Sequence, residues 1–114
     1  MSKMTLEYTE KHHMLEVDGV EYEIPQRTAE LEAKIKEHDE KVKEMSEYDG
    51  NMSLLEIFFG KKNAKRMFPD KASTNLNKLA KCVRLATAMY LADYMLMKDA
   101  SIKEQLDSME QNAK

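Results

Sequence analysis

From Asn75 to Met97 the chain reads NLNKLAKCVRLATAMYLADYMLM, without a Gly or a Pro. Wound at about 100° per residue, this stretch carries two apolar faces. Leu76, Leu79, Ala80, Val83, Ala86, Tyr90, Tyr94 and Met97 share one of them. Leu85, Ala88, Met89, Ala92 and Leu96 share a second, nearly opposite face. An ordinary surface helix needs one stripe, and a helix with two needs cover on both sides. The pattern therefore predicts a central helix over residues 74–98, capped by Ser73 or Thr74. Its Leu76–Tyr94 face has the width of a subunit core. Its second face is either covered by other elements of the chain or used between molecules.

Period-two alternation dominates the N-terminal quarter. Leu6 to Thr9 has weak strand character. His13 to Val17 and Val20 to Ile24 flank Asp18-Gly19, whose backbone preferences suit a two-residue type I′ turn. That register places Leu15, Val17, Val20, Tyr22 and Ile24 on one face and Glu16, Glu21 and Glu23 on the other. Because a two-stranded hairpin is marginal alone, it must pack on a helix, pair with Leu6–Thr9 or add to a neighbour's sheet. After Pro25 the spacing of Leu31, Ile35, Val42 and Met45, with Thr28 and His38 in the intervening heptad places, predicts one charged helix over 28–48. Tyr48-Asp-Gly50-Asn51 reads as a turn. Ser53-Leu-Leu-Glu56 then reads as a capping box, opening a short helix pair over 53–68 that breaks at Gly60. Beyond Met97, Lys98-Asp-Ala100 can continue the central helix. Ser101-Ile-Lys-Glu104 can instead cap a separate final helix over 101–110. The expected fold is a single α+β domain over 1–114, mainly α, with the hairpin in 1–25 and four to five helices.

Composition narrows the function more by exclusion than by motif. Apolar residues make up 42% and charged residues 34% of 114 positions, enough for one modest core. The single Cys82 excludes an intrachain disulfide and reads as a small semi-buried residue, as in a reducing compartment. No signal-peptide pattern opens the chain, and the run Leu85–Met97 is too short to span a bilayer. These features predict a cytoplasmic protein without a membrane partner. His12 and His13 would point to opposite sides of a strand, and His38 lies on a helical seam, so no metal site is expected. Asp93 marks a solvated strip between the two apolar faces or an interfacial ion pair. The many carboxylates lie mostly on predicted solvent faces, no nucleophile elbow or phosphate loop is present, and no enzyme or cofactor is expected.

Charge is unevenly distributed around a net value of −3. The first half of the chain is acidic, whereas Lys61 to Arg84 holds a run of basic residues interrupted only by Asp70. The two halves can neutralise each other within one molecule, or opposite poles of neighbouring copies can meet. Lys61, Lys62, Lys65 and Arg66 form a candidate electrostatic contact. They support an alternative reading as a small regulatory or nucleic-acid-binding protein. The acidic whole and the lack of a helix-turn-helix or aromatic platform weigh against it.

SLLEIFFGKKNAKRMFPD, from Ser53 to Asp70, is followed by the long helix and preceded by the hairpin VDGVEYEIP and a charged helix. In this arrangement the chain resembles tail assembly chaperones, small proteins from the tail modules of long-tailed phages and prophages of Gram-positive bacteria. The resemblance covers most of residues 14–98 and carries no catalytic signature. It implies a mostly helical protein that self-associates and coats the tape-measure protein, or another tail protein, in the bacterial host cytoplasm. The expected interaction residues are Leu85, Ala88, Met89, Ala92 and Leu96, read from the second face of the central helix.

Overall fold

The computed structural model describes residues 2–9 and 11–113, with side chains described as far as Met97. It is an α+β fold dominated by helix. Strands β1 (Met14–Val17) and β2 (Val20–Glu23) pair antiparallel. Helices α1 (Ala29–Lys41), α2 (Glu47–Phe59), α3 (Lys61–Met67) and α4 (Leu76–Ala113) follow. Two compact units are distinguished. One is His12–Tyr90, and the other combines Met1–Lys11 with Leu91–Lys114.

The hairpin forms as its sequence requires. Asp18 and Gly19 take φ of 50° and 81°, the left-handed pair of a type I′ turn. Val17 then faces Val20 and Leu15 faces Tyr22. Leu15, Val17, Tyr22 and Ile24 are buried, while Glu16, Glu21 and Glu23 are exposed. Residues 2–9 form no strand, so the alternation at Leu6–Thr9 is not expressed as pairing within the described structure.

The charged helix is shorter than its heptad spacing suggests. Thr28 caps α1 by accepting from the Leu31 amide at 3.2 Å, and Glu37–Lys41 closes on the solvent face at 2.8 Å. The α-helix ends at Lys41, a 3-10 turn covers Val42–Glu44, and the chain reverses at Met45. The seam nevertheless does what its pattern implies. Leu31, Ile35, Val42 and Met45 are half-buried and His38 is buried, so this stripe is the inner side.

The start of α2 corrects the sequence reading. Ser46, not Ser53, is the N-cap, and its hydroxyl accepts from the Asp49 amide at 3.1 Å. Tyr48 to Asn51 is the first part of a helix rather than a turn. Gly50 is buried inside that helix because the 3-10 turn passes over it. A Cβ placed there would lie 2.9 Å from Val42 Cγ2. His38 Nε2 donates to the Gly50 carbonyl at 2.9 Å, and the Ser53 hydroxyl donates to the same oxygen at 2.9 Å. Ser53 therefore braces the inside of a helix that the sequence pattern has it opening.

Gly60, with φ of 86°, stops α2 and starts α3. After Pro69, Asp70 gathers the loop. Its carboxylate accepts from the Ser73 hydroxyl at 2.8 Å and the Ala72 amide at 3.3 Å, and its carbonyl accepts from the Thr74 hydroxyl at 2.6 Å. Ser73 and Thr74 are thus engaged with the loop, and the cap of α4 is Asn75. Its side-chain oxygen accepts from the Asn77 and Lys78 amides at 2.9 and 3.1 Å. Of the two C-terminal alternatives, the chain takes the continuous one. Helix α4 runs through Ser101-Ile-Lys-Glu104 without a break, although the side chains of that pattern lie outside the described residues.

The core lies in the His12–Tyr90 unit. Leu55 of α2 and Leu79 of α4 are fully buried, with Phe58, Ala64, Met67, Phe68, Val83 and Ala86 around them. Tyr22 brings the hairpin onto Phe59 with ring centres 5.9 Å apart, and Phe58 meets Tyr90 at 5.1 Å. These tilted ring pairs add specific geometry to the burial of apolar area.

Candidate interaction face on the long helix

The two apolar faces of α4 differ in burial. On the first, Leu79, Val83, Ala86 and Tyr90 are buried, and Ala80 is half-buried. This core face is shorter than its apolar pattern, because Leu76, Tyr94 and Met97 are exposed. On the second, within the His12–Tyr90 unit, Leu85 is 45% exposed, Ala88 is exposed and Met89 is half-buried. In the other unit Ala92 is half-buried and Leu96 is 61% exposed, with Met95 and Met97 also exposed. Leu85 and Leu96 thus keep much of their apolar surface in water. A buried leucine contributes about 1.5–3 kcal/mol relative to an exposed one, and these side chains are available for such a gain. Small Ala88 and Ala92 permit close approach by another helix, and Met89 adapts to irregular contacts.

Six of the eight basic residues from Lys61 to Arg84 separate into two kinds. Lys78 reaches both carboxylate oxygens of Asp18, at 2.8 and 2.9 Å, and lies 5.8 Å from the Phe68 ring centre. Lys71 lies 3.5 Å from the Asp49 carboxylate and 5.2 Å from the Tyr48 ring centre. These contacts join acidic and basic halves within one molecule. Lys61, Lys62, Lys65 and Arg66 on α3 are exposed and form no ion pair among the described residues. Sequence reading assigned Asp18 to the turn alone. Its place as the Lys78 partner, sixty positions away, had no local signal beyond opposite charge.

The remaining titratable groups are structural in their surroundings. Cys82 is buried, and burial pushes its thiol above the usual range against the opposing influence of Lys78. Burial, then the Glu32 carboxylate, holds the Tyr90 phenol above its ordinary value, while Arg27 pulls the other way. His12 Nδ1 lies 2.7 Å from the Glu23 carboxylate across the hairpin, and His38 belongs to the joint at Gly50. Among the described residues no three His, Cys, Asp or Glu side chains are grouped to hold a metal ion. Asp93 is half-buried between the two faces of α4. An open groove borders Ile24, Pro25, Thr28 and Leu31.

Among the described residues no helix is long and apolar enough to cross a membrane. No protein-family model matches the chain, and no curated protein or solved structure matches it at a significant level.

Proposed function

We propose that this protein is a non-enzymatic interaction protein, a tail assembly chaperone of a long-tailed phage or prophage. In this reading it acts in the bacterial cytoplasm, self-associates and covers apolar helical stretches of the tape-measure protein. The observation that carries the reading is the contrast along α4. Leu79 and Ala86 are fully buried, while Leu85 and Ala88 on the other side are exposed. A helix with a core on one side and an open apolar stripe on the other presents a ready seam for a partner helix.

Light scattering after size exclusion tests it directly. Oligomers are expected, and Leu85→Glu or Met89→Glu is expected to yield folded monomers. A wild-type chain that stays monomeric at high concentration sinks the proposal. Unfolding of a monomer by either substitution would instead place this face in the core.

The four cations of α3, without an ion pair among the described residues, support a second reading, contact with a nucleic-acid backbone. Binding that falls steeply with salt and is lost on joint replacement of Lys61, Lys62, Lys65 and Arg66 by Glu would favour it. The net charge of −3 weighs against it, since the acidic remainder repels a polyanion.

A further inference from the structure

Among the described residues the sheet has two strands and therefore two edges. The Ile24 amide donates to the His13 carbonyl at 2.8 Å. Antiparallel alternation then makes Leu15–Tyr22 and Val17–Val20 the other hydrogen-bonded pairs and turns the backbone groups of Glu21 and Glu23 outward. Among the described residues no backbone hydrogen bond reaches those outward groups. Such an edge is a template for another strand. Its side chains are acidic, and Glu21 stands directly across from Glu16 without an ion pair for either among the described residues. Like charges facing each other in this way are unfavourable.

Residues 2–9 have the matching pattern. Met4 and Leu6 alternate with Lys3, Thr5 and Glu7, and they are 57% and 91% exposed. No Gly, Pro, Asn or Asp occurs from Ser2 to Val17. A tight reversal onto the chain's own β1 therefore lacks turn residues. To reach its own β2 edge, the segment would have to cross β1, with residues 7–12 carrying the chain back from Leu6 to His13.

Resting on the reading that copies associate, we infer that residues 3–6 of one copy add as an antiparallel third strand to the β2 edge of a second copy. The register that places Met4 beside Tyr22 also sets Lys3 against Glu23, Thr5 against Glu21 and Leu6 against Val20. It brings a cation to the acidic edge, keeps Glu7 away from Glu21 and moves two exposed apolar side chains next to the apolar face of the hairpin. Main-chain hydrogen bonds supply the affinity, and the alternating side chains supply the register.

Cysteine cross-linking between chains tests this. Thr5→Cys and Glu21→Cys are made separately in a full-length Cys82→Ser chain, mixed and oxidised. Directly opposed strand residues lie about 5.5 Å apart between Cα atoms, within disulfide reach. A Thr5–Glu21 mixed dimer is expected in at least five-fold excess over either like pair. Leu6→Asp, at a site exposed in the chain, is expected to reduce that dimer at least ten-fold while leaving the thermal midpoint unchanged. Cross-linking only within one chain when both cysteines are combined, or an equal yield after Leu6→Asp, overturns the inference. A chain that oligomerises by light scattering yet gives no mixed dimer also overturns it and leaves the α4 seam standing. A chain that neither cross-links nor oligomerises removes both.

Discussion

At the scale of single residues, the joint between α1 and α2 depends on the absence of one carbon. Glycine inside a helix normally costs about 1 kcal/mol relative to alanine. At Gly50 the neighbouring Val42 methyl, 2.9 Å from where a Cβ would stand, reverses that preference. Valine is stiff about its first torsion and yields poorly to the clash. Gly50→Ala is therefore expected to lower stability by about 1 kcal/mol, measured by chemical denaturation. In a Val42→Ala background the same change is expected to be neutral or stabilising. Tyr90 gives a second residue-level expectation. A phenol whose folded pKa is raised stabilises the fold fully below its unfolded value near 10. That contribution is lost as pH rises through the higher folded value. Stability should thus fall as pH climbs above 10, and Tyr90→Phe should flatten that fall in pH-dependent denaturation.

At the scale of elements, α4 contains its own internal control. Leu79→Ala removes a fully buried side chain and is expected to cost about 3 kcal/mol. Leu85→Ala, six positions on, is expected to cost less than about 0.5 kcal/mol in the monomer and to weaken association instead. Urea titration and light scattering together separate the two effects. The two faces of α4 and the hairpin register were legible because helix and strand periods are local properties of the chain. The ends of elements were less so. Ser53-Leu-Leu-Glu56 satisfies the capping-box pattern, yet Ser46 caps the helix, because Gly50 is held in helical geometry by its fit beneath Val42 and its bond from His38. That decision is tertiary and leaves no periodic trace. Likewise, Ser73 and Thr74 are good caps by type, but Asp70 takes both and the task passes to Asn75. The second face of α4 could be read as apolar but not as exposed, since exposure depends on what every other element covers.

At the scale of the whole molecule, opposite charges are partly spent inside the chain. Asp18–Lys78 and Asp49–Lys71 join the acidic and basic halves, while the cations of α3 and the carboxylates of the hairpin face outward. Both ion pairs are exposed, so each contributes no more than about 1 kcal/mol and weakens with salt. Asp18→Asn is expected to lower stability within that limit at low salt and to change little at high salt, as thermal melts in graded sodium chloride would show. Asp18→Val is expected to cost more under both conditions, since a β-branched residue resists the left-handed backbone. Position 18 thus answers to two filters, one conformational and one electrostatic, imposed by segments sixty residues apart. In a population of natural variants, Asp would be favoured there, Asn and Gly tolerated, and other residues rare. Variants that give up the carboxylate would also release position 78 from its need for a cation, so the two sites should drift together.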